Sequence, residues 1–351
     1  MHSTRSTQPA DGGNSVVWSE LNVFGILPDV SLRGEPLREL AGTQSFEDVA
    51  ALLLYGSLPS VELSADVQCR LAEVSPLDPA IDERIRSLPW HLSLCEALKS
   101  GLMLLSQFDE RSDDNGPETT IDLCLSTLVQ SVRMIALRYC VSQSVPLPRE
   151  GVVDEIAGLF LELSRGEEPD ELDRKVLDTF LVLHTIEPGS PSDVAVRAVA
   201  AGGGEHHEAL LAGISASDLE RRTRELSGVV EFLDRIESEE GLVSVCGAIS
   251  AGRLEAPGLC DQLSKCELVR NELLNELCRE LSIEREQEGF ERVARELERA
   301  VAPQQLRPVW AAARLFHYLG LEHELVSPLL ALARIPCWTA CYLEQRKLSA
   351  E

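Results

Sequence analysis

The segment VAALLLY, Val49 to Tyr55, is apolar on nearly every face. It lies between a start signal and a stop signal. Ser45 with Asp48 three residues on offers a side-chain acceptor to the first unpaired amides of a helix. Gly56 and Pro59 end it. A helix apolar all round has no stripe to give to water. It belongs inside a larger helical body or between two subunits. A chain carrying it must therefore build a helical interior deep enough to cover it.

Much of the remaining sequence has the same character. TTIDLCLSTLVQSVRMIALRYCVSQ has the broad apolar pattern of a buried helix. PREGVVDEIAGLFLELSRGEEPDELDRKVLDTFLVLH reads as helix, Gly-Pro loop, helix. Ser217 with Glu220 reads as a capping box, followed by Leu219, Leu226, Val229, Val230 and Leu233 on one face. Ser264 with Glu267 repeats the device ahead of Val269, Leu273, Leu277 and Leu281. Residues 107–120 read as an acidic surface loop, and 254–263 as a break turned by Pro257-Gly258. Strand-like alternation is rare, so the expected class is all-α. At 351 residues there is material for two domains with real cores.

The net charge of -26 argues against nucleic acid and anionic membrane as partners, because both require a positive surface. No run reaches the roughly 18 apolar residues of a membrane span. Residues 1–19 read as a disordered arm without the apolar core of a secretory signal, and the expected location is cytoplasmic. The ten cysteines include no Cys-x-x-Cys, and are expected reduced and mostly buried. Cys337 and Cys341 share a helix face, but two thiols do not complete a zinc site. No metal and no cofactor are expected.

Chemical motifs are sparse. There is no phosphate-binding loop and no dinucleotide fingerprint. Adjacent helical side chains point about 100° apart, so His206 and His207 do not converge on one ion and read as a solvated face. His184 and Glu187 stand three apart just before Pro188. They read either as an imidazole oriented by a carboxylate for proton transfer or as a favourable imidazole at a helix C-terminus.

At several places the residues resemble the citrate synthase family. LRGEPLRELAGTQSFEDVAALLLYGSLPS is similar to that family's N-terminal signature. RGEEPDELDRKVLDTFLVLH resembles the approach to its LHADHE segment, and HTIEPGSPSDVAVRAVA follows without gaps, Arg197 included. LVSPLLALARIPCWTACYLEQR resembles its last helices. The resemblance covers roughly residues 20 to 346 and is weak between about 201 and 310. It implies a large helical domain from 20–223 and 315–351, a smaller inserted one at 224–314, and a dimer.

The family condenses an acyl-CoA with oxaloacetate, using two histidines and an aspartate. Those positions fall on Arg222, Asp261 and Val309 here. Glu187 stands where the family has a substrate-binding histidine. Val309 cannot accept a proton, and arginine does not exchange protons near neutrality. An ionised Asp261 would repel a dicarboxylate and an enolate. Arg270 and Arg346 match family arginines that hold substrate carboxylates, a task suited to a planar, bidentate guanidinium.

The resemblance thus implies a citrate synthase-like protein that has lost its chemistry. Its role would be regulatory or structural, as a homodimer or as a heterodimer with an active paralogue. Two alternatives remain at this level. One is a citrate or methylcitrate synthase-type enzyme working through His184, Glu187, Cys260 or Asp261 on an acyl-CoA. The other is a sensor of di- or tricarboxylates using Arg270 and Arg346.

Overall fold

Ser45 caps the first deeply buried helix. The computed structural model describes residues 30–109, 111, 114, 116–149, 153–236, 239–302 and 304–350. The arm expected at 1–19 lies outside them. The described chain opens with an antiparallel pair, β1 (Ser31–Leu32) and β2 (Glu35–Pro36). Arg33 and Gly34 turn it at φ 51° and 94°. The bend aims Arg33 inward, where it donates to the Leu53 carbonyl at 2.9 Å and to Glu344 at 2.8 Å.

The helices follow in order. They are α1 (Leu37–Thr43), α2 (Phe46–Tyr55), α3 (Val61–Ala72), α4 (Pro79–Ser87), α5 (Leu94–Phe108) and α6 (Pro117–Gln143). Next come α7 (Ile156–Arg165), α8 (Glu171–His184), α9 (Pro191–Ala201), α10 (His206–Ala216), α11 (Leu219–Asp234) and α12 (Glu239–Ser250). A second two-stranded pair joins β3 (Leu259–Cys260) to β4 (Gln305–Leu306) and encloses α13 (Lys265–Glu284) and α14 (Glu288–Ala300). The chain closes with α15 (Val309–Tyr318), a 3-10 turn at His323–Leu325, and α16 (Val326–Ala350). The all-α class expected from the sequence is the observed one.

In α2, Ser45 Oγ accepts the Asp48 N–H at 3.1 Å and Gly56 ends the helix at φ 89°. Phe46, Glu47 and Val49 through Leu54 are all buried within a single chain, against α16, α8, α3 and α7. That resolves which of the two settings open to this helix it occupies. The central layer is built from α6 and α16. Both are long and apolar enough to pass for membrane spans, contrary to the expectation that no segment would be. Their most apolar windows are 89% and 100% buried by the other helices, so they are the core of this fold.

Three local expectations change. Ser217 and Glu220 form no capping box. Ser217 ends α10 and donates to the Ile214 carbonyl, while Glu220 accepts from Ser93 Oγ at 2.7 Å. In α13, Leu274 rather than Leu273 fills the buried stripe. His206 and His207 are buried, not solvated. Diverging by one helical step, they reach opposite neighbours: His206 Nε2 meets Thr339 Oγ1 at 2.9 Å, and His207 Nε2 meets Thr127 Oγ1 at 3.5 Å. Packing of α10 between α5, α9 and α16 overrides the polar look of HHE.

A carboxyl pair also lies in this body. Glu47 accepts the Ile156 N–H at 2.7 Å, and Asp178 accepts the Phe46 N–H at 2.8 Å, so each caps the first residue of another helix. Burial raises both pKa values, to about 7 for Glu47 and about 8 for Asp178, where the Glu47 charge adds to the rise. Groups raised in the folded state stabilise fully below their unfolded values and lose that contribution as pH climbs through the folded ones. Burial acts oppositely on the histidines, holding His206 well below 6.5 and His207 near about 4. Their contribution is present above 6.5 and lost as pH falls toward 4. The carboxyl pair should pull the melting temperature down as pH rises from about 4 to about 8, and the histidines should pull it down as pH falls from 6.5 toward about 4. Asp178→Asn should remove part of the first trend and His207→Gln part of the second. Curves parallel to the parent's would refute these assignments.

Candidate functional site

The turn after α8 has the residues of a type II turn, with proline second and glycine third. Glu187 C=O accepts the Ser190 N–H at 3.1 Å, Pro188 fills the second position, and Gly189 sits at φ 73°. This turn projects Glu187 into a cleft between α8, α11, α13, α15 and α16. The cleft also receives Phe180 and His184 from α8, Arg222 from α11, Arg270 from α13, Val309 from the start of α15 and Arg334 from α16.

Three arginines converge on Glu187. Arg270 Nη1 donates to Oε2 at 2.9 Å and Arg334 Nη2 to the same oxygen at 3.0 Å. Arg222 Nη2 reaches Oε1 at 3.5 Å, while Asp218 stands 3.7 Å from its Nε. Arg270 is also held from behind. Arg270 donates Nε to the Leu183 carbonyl at 2.9 Å and Nη2 to the Ile186 carbonyl, closing the open end of α8. Thr223, beside Arg222, bonds Ser327 at the start of α16, and Ser327 donates to the Leu219 carbonyl at 2.6 Å. Arg270 is set by α13, whose Ser264–Glu267 capping box forms as its spacing implies.

The electrostatics follow from this crowding. Burial would raise the Glu187 pKa, but Arg270, Arg334 and Arg222 together bring it down to about 2. His184 goes the other way. Burial and then the Arg270 charge keep it neutral, well below 6.5. Its Nδ1 donates to the Phe180 carbonyl at 2.8 Å, and its ring packs on Phe180 with centroids 4.2 Å apart. The imidazole is thus turned toward its own helix, while Glu187 is given to the arginines. The free space left is about 30 Å³, room for a water molecule or two. Ligand pockets run to roughly 300–1,000 Å³.

Of the residues flagged in the sequence, the fold brings together His184, Glu187, Arg222, Arg270 and Val309. Asp261 stands elsewhere, exposed beside β3 and accepting from Gln304 at 3.0 Å. Cys260 lies in β3 with its sulfur 3.4 Å from the Gln305 carbonyl. The wall near them is closed by Gly258, where a Cβ would come within 2.9 Å of Val309 Cγ1. Arg346 is also apart. It lies twelve residues beyond Arg334 on α16, about 18 Å along the axis, beside Gly203.

The residue that sequence reading missed is Arg334. Its signal was a lone charge inside LLALARIPCW, since an arginine in a fully buried stretch needs a carboxylate. A larger groove of about 780 Å³ lies between α3, α4, α5 and α6. Its arginines are already engaged, Arg70 with Asp122 and Arg111 with Asp109, and it holds none of the flagged residues.

Removing one member of a buried, hydrogen-bonded ion cluster costs about 3–5 kcal/mol, whereas a change at a half-exposed side chain stays within about 0.5 kcal/mol. Arg270→Met should therefore lower unfolding free energy in urea by about 3–5 kcal/mol, and Arg346→Ala by no more than about 0.5 kcal/mol. Equal losses would mean that the cluster does not carry this part of the fold.

Comparison with known proteins agrees with the helical architecture. The family model for the citrate synthase C-terminal domain matches residues 14–350. The 2-methylcitrate synthase of Shewanella oneidensis is 22% identical over 339 residues, covering 95% of this chain and 90% of that protein. Citrate synthase 2 of Bacillus subtilis is 24% identical over 341 residues, covering 95% and 91%. Among solved structures, the citrate synthase of Pyrobaculum aerophilum superposes with a TM-score of 0.77 at 20% identity, over 97% of this chain and 93% of that one. The Thermoplasma acidophilum enzyme, in a ternary complex with carboxymethyl coenzyme A and oxaloacetate, gives 0.77 at 17% identity, over 94% and 90%. On the extent of the family match, this chain belongs to the citrate synthase family.

Proposed function

We propose that this protein is a member of the citrate synthase family that does not carry out the condensation, and that it serves a regulatory or structural role as a homodimer or as partner to an active paralogue. The observation that carries the reading is the Glu187 carboxylate bound by Arg222, Arg270 and Arg334 in a cleft with about 30 Å³ of free space. A tethered carboxylate meets the guanidiniums that would otherwise hold a free one.

The chemistry available in the cleft supports the same reading. Enolising a thioester requires a base for the α-proton and a donor for the developing oxyanion. Glu187, at about 2, is a weak base with both oxygens committed. Val309 offers no polar atom. His184 is neutral but spends Nδ1 on Phe180. Loss of positioned acid–base groups forfeits roughly 10²–10⁴-fold in rate for each proton transfer they served.

Two measurements test the proposal. Purified protein given acetyl-CoA or propionyl-CoA with oxaloacetate should release CoA at the background rate. Glu187→Ala should lower the melting temperature, because it strands the buried guanidiniums of Arg270 and Arg334 and the partly buried one of Arg222, and millimolar citrate should restore it more in the variant than in the parent. Enzyme-like CoA release by the parent would overturn the inactive reading. A variant indifferent to citrate would overturn the tethered-carboxylate explanation.

A further inference from the structure

Asp193, in the first turn of α9, faces Cys337 and Cys341 on α16. The two sulfurs and a carboxylate oxygen lie within 4.8 Å of one another. We propose that these three side chains form a binding site for one thiophilic divalent metal ion of the zinc class, with a water in the fourth position. The sequence alone supplies only two of the donors. The third comes from a distant part of the chain and is brought over by the packing of α9 on α16.

The spacing suits an ion better than a disulfide. Helical residues four apart lie on one face with Cβ atoms about 5–6 Å apart. A disulfide needs about 3.8 Å between them. Two thiolates on a zinc ion, each about 2.3 Å from the metal, span about 3.8 Å between sulfurs. Sulfur atoms already within 4.8 Å reach that by small rotamer changes. Thiolate ligands select zinc-class ions over magnesium and calcium, which prefer all-oxygen sites.

The surroundings match the charge of such a site. Two thiolates and a carboxylate around a divalent cation leave one net negative charge. Arg197 and Arg334 are both buried here. The Arg197 charge acts on Cys341, and both guanidiniums act on Asp193. Arg334 Nε and Nη1 have no hydrogen-bond partner among the described residues, a costly arrangement that a negative site beside them would relieve. The Trp338 indole N–H donates to Ser192 Oγ at 3.3 Å, which fixes the first turn of α9 beside Asp193. Cys337 and Cys341 are deeply buried and Asp193 is only partly so, which leaves an approach from the Asp193 side. Binding converts two thiols to thiolates and releases two protons, so affinity rises with pH.

This inference uses different ligand atoms from the proposed function and stands or falls apart from it. The test is titration of the full chain, reduced, with Co²⁺ alone as the probe. One equivalent should bind with a thiolate-to-cobalt charge-transfer band and intense tetrahedral d–d bands, and Zn²⁺ should displace it. Cys337→Ser and Cys341→Ser should each abolish the band, and Asp193→Asn should weaken binding at least roughly tenfold. Cys69→Ser, at an exposed cysteine, should change nothing. Absence of the band in the parent, or its survival in both Cys→Ser variants, would overturn the site. If either serine variant fails to fold, Asp193→Asn decides, and unaltered affinity there would overturn it.

Discussion

One carboxylate holds the middle of this structure together. Glu187 lies between arginines from α11, α13 and α16, and each of those helices is oriented by the bond it makes there. Three guanidiniums this close would repel one another strongly in a low-dielectric interior. The anion is what permits them to be buried side by side. Arg270 shows how the cost is offset: besides Glu187 it satisfies two carbonyls at the end of α8, so its desolvation also closes a helix terminus. The cluster therefore links the helices after residue 218 to the body built on α6, α8 and α16.

The same cleft drives its titratable groups apart. Catalytic groups are poised with pKa values near the working pH and with unspent hydrogen-bonding capacity. In this cleft the two titratable groups flagged in the sequence are driven to opposite extremes. Glu187 is held anionic and His184 neutral across the neutral range. Burial lowers His184 and the arginines add to it, while for Glu187 the arginines overcome burial, since a positive field favours a carboxylate and disfavours an imidazolium.

The helical class, the capped α2, the Ser264–Glu267 box and the Pro257-Gly258 turn were all legible locally. Each depends on residues within a few positions of one another, where spacing alone specifies geometry. The family resemblance also pointed to five residues that line the cleft, His184, Glu187, Arg222, Arg270 and Val309. What failed did so for reasons of packing. Ser217 and Glu220 had the right spacing, but Ser217 ends α10 and Asp218 stands before the start of α11 at Leu219, so Glu220 falls at the second helical position instead of the third. The histidines of HHE looked like a wet face until α10 was sandwiched between other helices.

The sequence by itself determined which segments become helices and where most of them start and stop. Those are properties of short windows and of side-chain chemistry. Only the tertiary structure decided that Arg334 rather than Arg346 joins Glu187, that Asp261 stands outside the cleft, and that Asp193 meets Cys337 and Cys341. These pairings join residues more than a hundred positions apart or separate residues on one helix by several turns. Their partners are chosen by how helices cross in space, and no local pattern encodes a crossing.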